Sequence, residues 1–179
     1  MAVRPRSTLS EGLTVWLTGL PSAGKTTIAH GLAKRLLDEG HRVEVLDGDV
    51  VRTHLTRDLG YTAADRMENI RRIGFVASLL SRNGVVTVCS VISPYRAARD
   101  EVRALHDGRF FEVHVATPVE VCAARDVKGL YARQRAGEIS GLTGVDDPYE
   151  PPLDPELVVP AHEQGVEESV DLVWRALPR

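Results

Sequence analysis

Cysteine is scarce in this chain. Cys89 and Cys122 are the only two, both in apolar contexts, which speaks against a disulfide framework and against a zinc site. No apolar run approaches the roughly 18 residues needed to cross a bilayer, so no membrane partner is expected. The opening stretch MAVRPRSTLSEG lacks the apolar middle of a signal peptide, and cytoplasmic residence is the expectation. An excess of basic charge is also missing: 22 Lys and Arg stand against 25 Asp and Glu, for a net charge of -3. That excludes a surface built to coat nucleic acid while leaving room for a local basic pocket. The six histidines show no H-x-x-H or H-E-x-x-H spacing, and none is assigned to chemistry. No Gly/Ser linker, repeat or charge block divides the chain. With 179 residues, 43% apolar and 26% charged, one full hydrophobic core is expected and disorder is not.

Five short apolar stretches predict strands at 15–18, 43–46, 85–92, 110–115 and 157–159. Several are continuous Val/Ile/Leu runs, as in strands buried on both faces of a parallel sheet. Between them lie helical patterns. Ile28, Ala29, Leu32, Leu36 and Leu37 form a stripe that Gly40 would stop. A long helix is predicted over 63–82, another after Pro94 at its first turn, and a last one over 163–177. Strand–helix alternation implies a three-layer α/β fold with right-handed crossovers. Residues 1–12 read as a flexible tail and 13–179 as a single domain. Within it, 127–155 is rich in Gly, Pro and charge, and is long for a plain connection, which marks a lid or binding segment.

The segment Gly19-Leu20-Pro21-Ser22-Ala23-Gly24-Lys25-Thr26 meets G-x-x-x-x-G-K-[ST] at every fixed position, between an apolar strand and an amphipathic helix. Successive backbone N–H groups in such a loop curl around nucleotide phosphates, and the helix N-terminus adds partial positive charge. Lys25 would reach the β and γ phosphates, and the Thr26 hydroxyl would hold Mg²⁺, with Thr27 following in the first turn. The loop identifies a nucleoside triphosphate site without saying what happens there.

The second predicted strand runs into Asp47-Gly48-Asp49, at the end of a strand where ligands of open α/β sheets bind. One carboxylate can order the Mg²⁺ shell and the other can orient an attacking hydroxyl, with Thr26 and Asp49 as the metal pair. An Asp-Gly turn followed by a helix cap is the alternative. Arg66, Asn69 and Arg72 recur at the start of the long helix as a neighbouring polar set for negative charge. Phe75, Val76 and Leu79 give that helix a second apolar face, either a subunit contact or a surface covered by the chain's own 130–155 segment. The strand at 85–92 carries no acidic residue, unlike a GTPase or motor ATPase, and ends in Ser93. The chain therefore reads as a small-molecule phosphotransferase with its acceptor beside Asp49 and Ser93. Arg125 and one of Arg133 and Arg135 are expected on the phosphates, in a region that closes over ATP.

These residues together resemble the adenylylsulfate kinase family of P-loop phosphotransferases, from about 13 to 177. The phosphate loop is generic. LDGDVVR, DRMENIRRIG, ISPYR and KGLY with GVDDPYE are specific as a set. The resemblance implies a five-stranded, mostly parallel sheet with a lid, and transfer of phosphate from ATP to the 3′-hydroxyl of adenosine 5′-phosphosulfate (APS), giving PAPS. It implies Asp49 beside the reacting hydroxyl, with Asp47 in support. Arg52, Arg66 and Asn69 would contact the phosphosulfate and ribose, and Ile92 and Ser93 would line the same pocket. Some members carry a phosphorylatable serine at the Ser93 position. Lys128, Gly129 and Leu130 would form the mobile segment that closes on the acceptor. A homodimer is implied, as is functional coupling to ATP sulfurylase. Three departures stand out: Pro21 and Ser22 inside the loop, Phe75 where a Glu is common, and Tyr61 and Leu142 where two phenylalanines usually clamp the acceptor adenine. The alternative is a related P-loop kinase acting on another nucleotide or small metabolite.

Overall fold

The computed structural model describes residues 9–179, so the expected tail over 1–12 falls mostly, at 1–8, outside the described residues. Leu9–Glu11 form a 3-10 turn with Leu9 buried. Five strands follow: β1 (Leu13–Thr18), β2 (Val43–Asp47), β3 (Val86–Ser90), β4 (Phe110–Val115) and β5 (Leu157–Val159). All are parallel, in the order β2-β3-β1-β4-β5. Central β1 is buried along its whole length, as its unbroken apolar sequence requires.

Among the described residues seven α-helices flank the sheet: α1 (Lys25–Asp38), α2 (Gly48–His54), α3 (Ala63–Ser81), α4 (Arg96–Leu105), α5 (Val119–Arg125), α6 (Leu130–Arg135) and α7 (Val166–Ala176). Alternation along β1 divides the core. Val15 and Leu17 join Ile28, Leu32, Leu36 and Trp174 beneath α1 and α7. Trp16 faces the other way, onto Ile70, Ile73, Ala98 and Val102 of α3 and α4. Each such side chain contributes roughly 1.5–3 kcal/mol of burial, which makes the two layers the main source of stability. Among the described residues no helix is long and apolar enough to cross a membrane.

The long elements match their sequence pattern, with telling differences at the ends. α1 stops where Gly40, at φ 85, lets its N–H and that of His41 return to Leu37 O and Leu36 O. α3 opens on a capping box between Thr62 and Asp65. α4 begins at Arg96, two residues past Pro94, with Tyr95 as N-cap. β3 ends at Ser90, short of the expected 92, because the Ile92 carbonyl accepts from the Thr18 side chain and Ser93 turns the chain at φ 43. Helices α2, α5 and α6 are not among the helices predicted from periodicity. Each spans two turns or less, too short to display an i, i+4, i+8 stripe.

The packing of α3 on α4 depends on Gly74, where a Cβ would lie 2.4 Å from Val102 Cγ2. Gly74→Ala should destabilise the fold by about 1–3 kcal/mol, because overpacking outweighs the better helix propensity of Ala. Thermal melting checks this, and an unchanged or higher Tm would show that the two helices part freely.

Candidate active site

The phosphate loop connects β1 to α1 and is held from behind. Thr117 Oγ1 and Arg125 Nη1 donate to Ala23 O at 2.9 and 3.3 Å, and the Tyr131 hydroxyl donates to Pro21 O at 3.0 Å. Ser22 sits at φ 62 and Gly24 at φ 108, which turns the backbone through the left-handed region. At Gly19 a Cβ would lie 2.6 Å from Val115 O, so only glycine fits. No side chain caps α1, and its first N–H groups are left for an anion.

Lys25 is buried, and its ammonium donates to Gly19 O at 2.9 Å and Leu20 O at 2.7 Å. Burial is the main reason that its pKa falls from 10.5 to about 7. Lys128 pushes the same way, while Asp47 and Asp49 oppose it.

Parallel pairing sets Asp47 of β2 against Ser90 of β3, and both reach the first turn of α1. Thr26 Oγ1 donates to Asp47 Oδ2 at 2.9 Å and lies 3.1 Å from Ser90 Oγ. Asp47 Oδ1 meanwhile caps α2 by accepting from Asp49 N at 2.9 Å, so the cap reading and the site reading hold for the same residue. Of the expected metal pair, Thr26 bonds Asp47, while Asp49, two residues further along, is ion-paired with Lys128. Hydroxyl and carboxylate oxygens suit Mg²⁺, a hard cation. Among the described residues no cluster of three or more His, Cys, Asp or Glu forms a closed metal cage.

Among the residues expected to meet the acceptor, Arg66 gathers separate segments. Its guanidinium donates to Tyr61 O at 2.8 Å, Thr143 Oγ1 at 2.8 Å and Gly141 O at 2.5 Å. Asp147 lies 3.7 Å away. Arg52 donates to Gly60 O at 2.9 Å and stacks 4.4 Å from the Tyr61 ring centre. Asn69 Oδ1 accepts from Thr56 Oγ1 at 2.7 Å. The loops that carry Tyr61 and Leu142 are thus brought within the span of one arginine. Lys128 and Gly129 precede α6, with Gly129 at φ 67, and Leu130 begins it.

Several expected residues are placed differently. Tyr61 is 68% exposed, but Leu142 is 7% exposed and packs in the main core, so it offers no open lid surface. Ser93 turns its hydroxyl into the sheet, donating to Thr18 Oγ1 at 2.9 Å and accepting from Trp16 Nε1 at 3.1 Å. Arg133 pairs with Glu138 at 3.3 Å. Arg125 instead bridges Ala23 O and Ala161 O. Arg72 leaves the Arg66–Asn69 set to pair with Asp58 and Glu68. Thr18, Ser90, Thr117 and Tyr131 went unread. Strand-end position was the available signal for Thr18 and Ser90. A cavity of about 730 Å³ lies between the end of β4 and residues 144–151 and is bordered by Leu20 of the phosphate loop, while neither Lys25 nor Asp47 lines it.

The adenylylsulphate kinase family profile matches residues 11–160. The adenylyl-sulfate kinase of Rippkaea orientalis is 58% identical over 93% of this chain and 92% of its own length. That of Halothermothrix orenii is 56% identical over 91% of this chain and 88% of its own. The structure of the Mycobacterium tuberculosis APS kinase in complex with AMPPNP and APS superposes with a TM-score of 0.89. It is 42% identical, over 93% of this chain and 97% of that one. A gluconokinase from Sinorhizobium meliloti, 20% identical with a TM-score of 0.64 over 93% of this chain and 91% of that one, shares the fold.

The buried ammonium gives a pH-dependent prediction. Below about 7 Lys25 is charged in both folded and unfolded chains, and its full burial penalty stands. Between about 7 and 10.5 the unfolded chain binds a proton that the folded loop does not, so this residue makes stability rise with pH. Lys25→Met should abolish turnover. In ligand-free melts, the wild type should gain stability relative to this variant as pH rises from about 7 to about 10. Normal turnover, or a pH-independent difference in Tm, would contradict the assignment.

Proposed function

The chain belongs to the adenylylsulfate kinase family, and from the site it carries we infer that it transfers the γ-phosphate of ATP to the 3′-hydroxyl of adenosine 5′-phosphosulfate, giving PAPS and ADP. The observation that supports this reading is that two carboxylates two residues apart have different partners. Asp47 contacts Thr26 of the phosphate loop, and Asp49 faces Lys128 across the cleft. One serves the donor and the other the acceptor.

In this mechanism the phosphates of ATP replace Gly19 O and Leu20 O as partners of Lys25, and the uncapped start of α1 takes up the remaining charge. Thr26 and Asp47 would hold Mg²⁺, with Asp49 adjacent; the ion supplies charge neutralisation on the phosphates. Asp49 accepts the proton of the attacking hydroxyl or orients it. Arg66 uses three of its five N–H donors within the protein and keeps two for the acceptor's anionic groups. Tyr61, exposed and backed by Arg52, offers a face to the adenine. The segment 127–155 acts as lid and acceptor-binding region, and 13–179 as one kinase domain. An ATP sulfurylase would supply the acceptor. The test is an ATP-consumption assay across nucleotide and small-metabolite acceptors with chromatographic identification of the product. Turnover of a different acceptor, with none of APS, would transfer the assignment to another P-loop kinase.

Asp49→Asn should lower kcat by roughly 10²–10⁴-fold with little effect on ATP affinity. A normal kcat with an altered Tm would make Asp49 structural only.

We also propose a homodimer through the outer face of α3. Phe75 there is 55% exposed, beside half-buried Val76 and Leu79. Light scattering should show a dimer that Leu79→Glu weakens and Phe75→Glu does not abolish. A wild-type monomer at micromolar concentration would refute this use of the face.

A further inference from the structure

Arg99 in α4 is 2% exposed and lies outside the site just described. Its Nη1 donates to Ser93 O at 2.5 Å and its Nη2 to Glu150 O at 2.6 Å. Its Nε lies 2.9 Å from Glu112 Oε1, which balances the buried charge from β4. The two carbonyls belong to segments that meet again elsewhere. The Ser93 hydroxyl donates to Thr18 Oγ1, and the Tyr149 hydroxyl lies 3.1 Å from the same oxygen. Thr18 in turn donates to Ile92 O at 2.7 Å. Glu150 N donates to Pro94 O at 2.8 Å, which fastens the two segments side by side. A closed ring results: Thr18, Ser93, Arg99, the Tyr149–Glu150 backbone, and back to Thr18.

Thr18 is the residue immediately before the phosphate loop, and Ile92 and Ser93 are the residues expected to line the acceptor pocket. The ring therefore ties donor and acceptor geometry to one guanidinium. Ser93 needs such a tie, because a non-glycine residue at φ 43 stays there only when its surroundings hold it. An ammonium could not replace the fork, since it lacks two parallel donors in fixed geometry.

We propose that Arg99 is a positioning residue for phosphoryl transfer, holding segments 92–95 and 147–150 in register with the base of the phosphate loop. The inference rests on the kinase reading above. Arg99→Lys should lower kcat with APS by roughly ten- to a hundred-fold, the range expected when reacting groups are displaced by about an ångström. The affinity for a non-hydrolysable ATP analogue should stay within about two-fold. Hydrogen–deuterium exchange should rise in 92–95 and 147–150 and not in α1. Tyr149→Phe opens the same ring without disturbing a buried charge and should raise exchange in the same segments. A folded Arg99→Lys with unchanged kcat and exchange would overturn the proposal, as would losses for ATP and APS in equal proportion. If Arg99→Lys does not fold, Tyr149→Phe decides, with unchanged exchange overturning the idea. Wild-type turnover of APS is measured alongside. Its absence would remove the kinase reading, while the exchange data still decide the role of Arg99.

Discussion

A buried lysine whose ammonium is held by two loop carbonyls is the constraint around which the rest of the site is arranged. Lys25 follows the loop that it serves, and its cation is turned inward onto Gly19 O and Leu20 O. Carbonyl dipoles compensate only part of the lost hydration, which is why its pKa drops to about 7. Nucleotide phosphates would give the charge a full partner. The surrounding structure keeps that arrangement from relaxing. Thr117, Arg125 and Tyr131 fix the loop carbonyls from behind, and the buried strand β1 fixes its start.

Topology explains why the other reactive groups converge there. With β1 between β3 and β4, the carboxyl ends of β1, β2 and β3 lie side by side. Register then brings Asp47, Ser90 and the first turn of α1 into contact. The acceptor side is assembled from more distant pieces, joined by two arginines that act as fasteners. Arg66 links the start of α3 to the 141–147 loop, and Arg99 links α4 to residues 93 and 150. Both spend donors on backbone carbonyls, which gives irregular segments fixed geometry without regular secondary structure.

Much of this was legible in the sequence, and what was not has identifiable causes. Continuous Val/Ile/Leu runs reveal buried parallel strands, and the fixed positions of the phosphate loop carry their own chemistry, so sheet and loop could be read directly. The short helices escaped because two turns do not establish a period. Side-chain direction escaped wherever the backbone leaves the common regions. Ser93 at φ 43 turns its hydroxyl to Trp16 and Thr18, which no spacing pattern announces. Leu142 shows the limit of substitution by type. An apolar residue at a binding position can equally join the core, and here it does. The choice of Asp47 over Asp49 as partner of Thr26 came from strand register, which neither residue encodes alone.

The most direct test of the buried-cation constraint is proton uptake on ATP binding, measured by titration calorimetry in buffers of different ionisation enthalpy at about pH 8.5, where ATP itself does not titrate. Lys25 is mostly neutral there in the free enzyme, given a pKa of about 7, and becomes an ammonium against the phosphates. Uptake of nearly one proton in the wild type and none in Lys25→Met is expected. Equal heats in all buffers for the wild type would mean that Lys25 is already fully charged in the empty loop, and would contradict the constraint from which the site has been built.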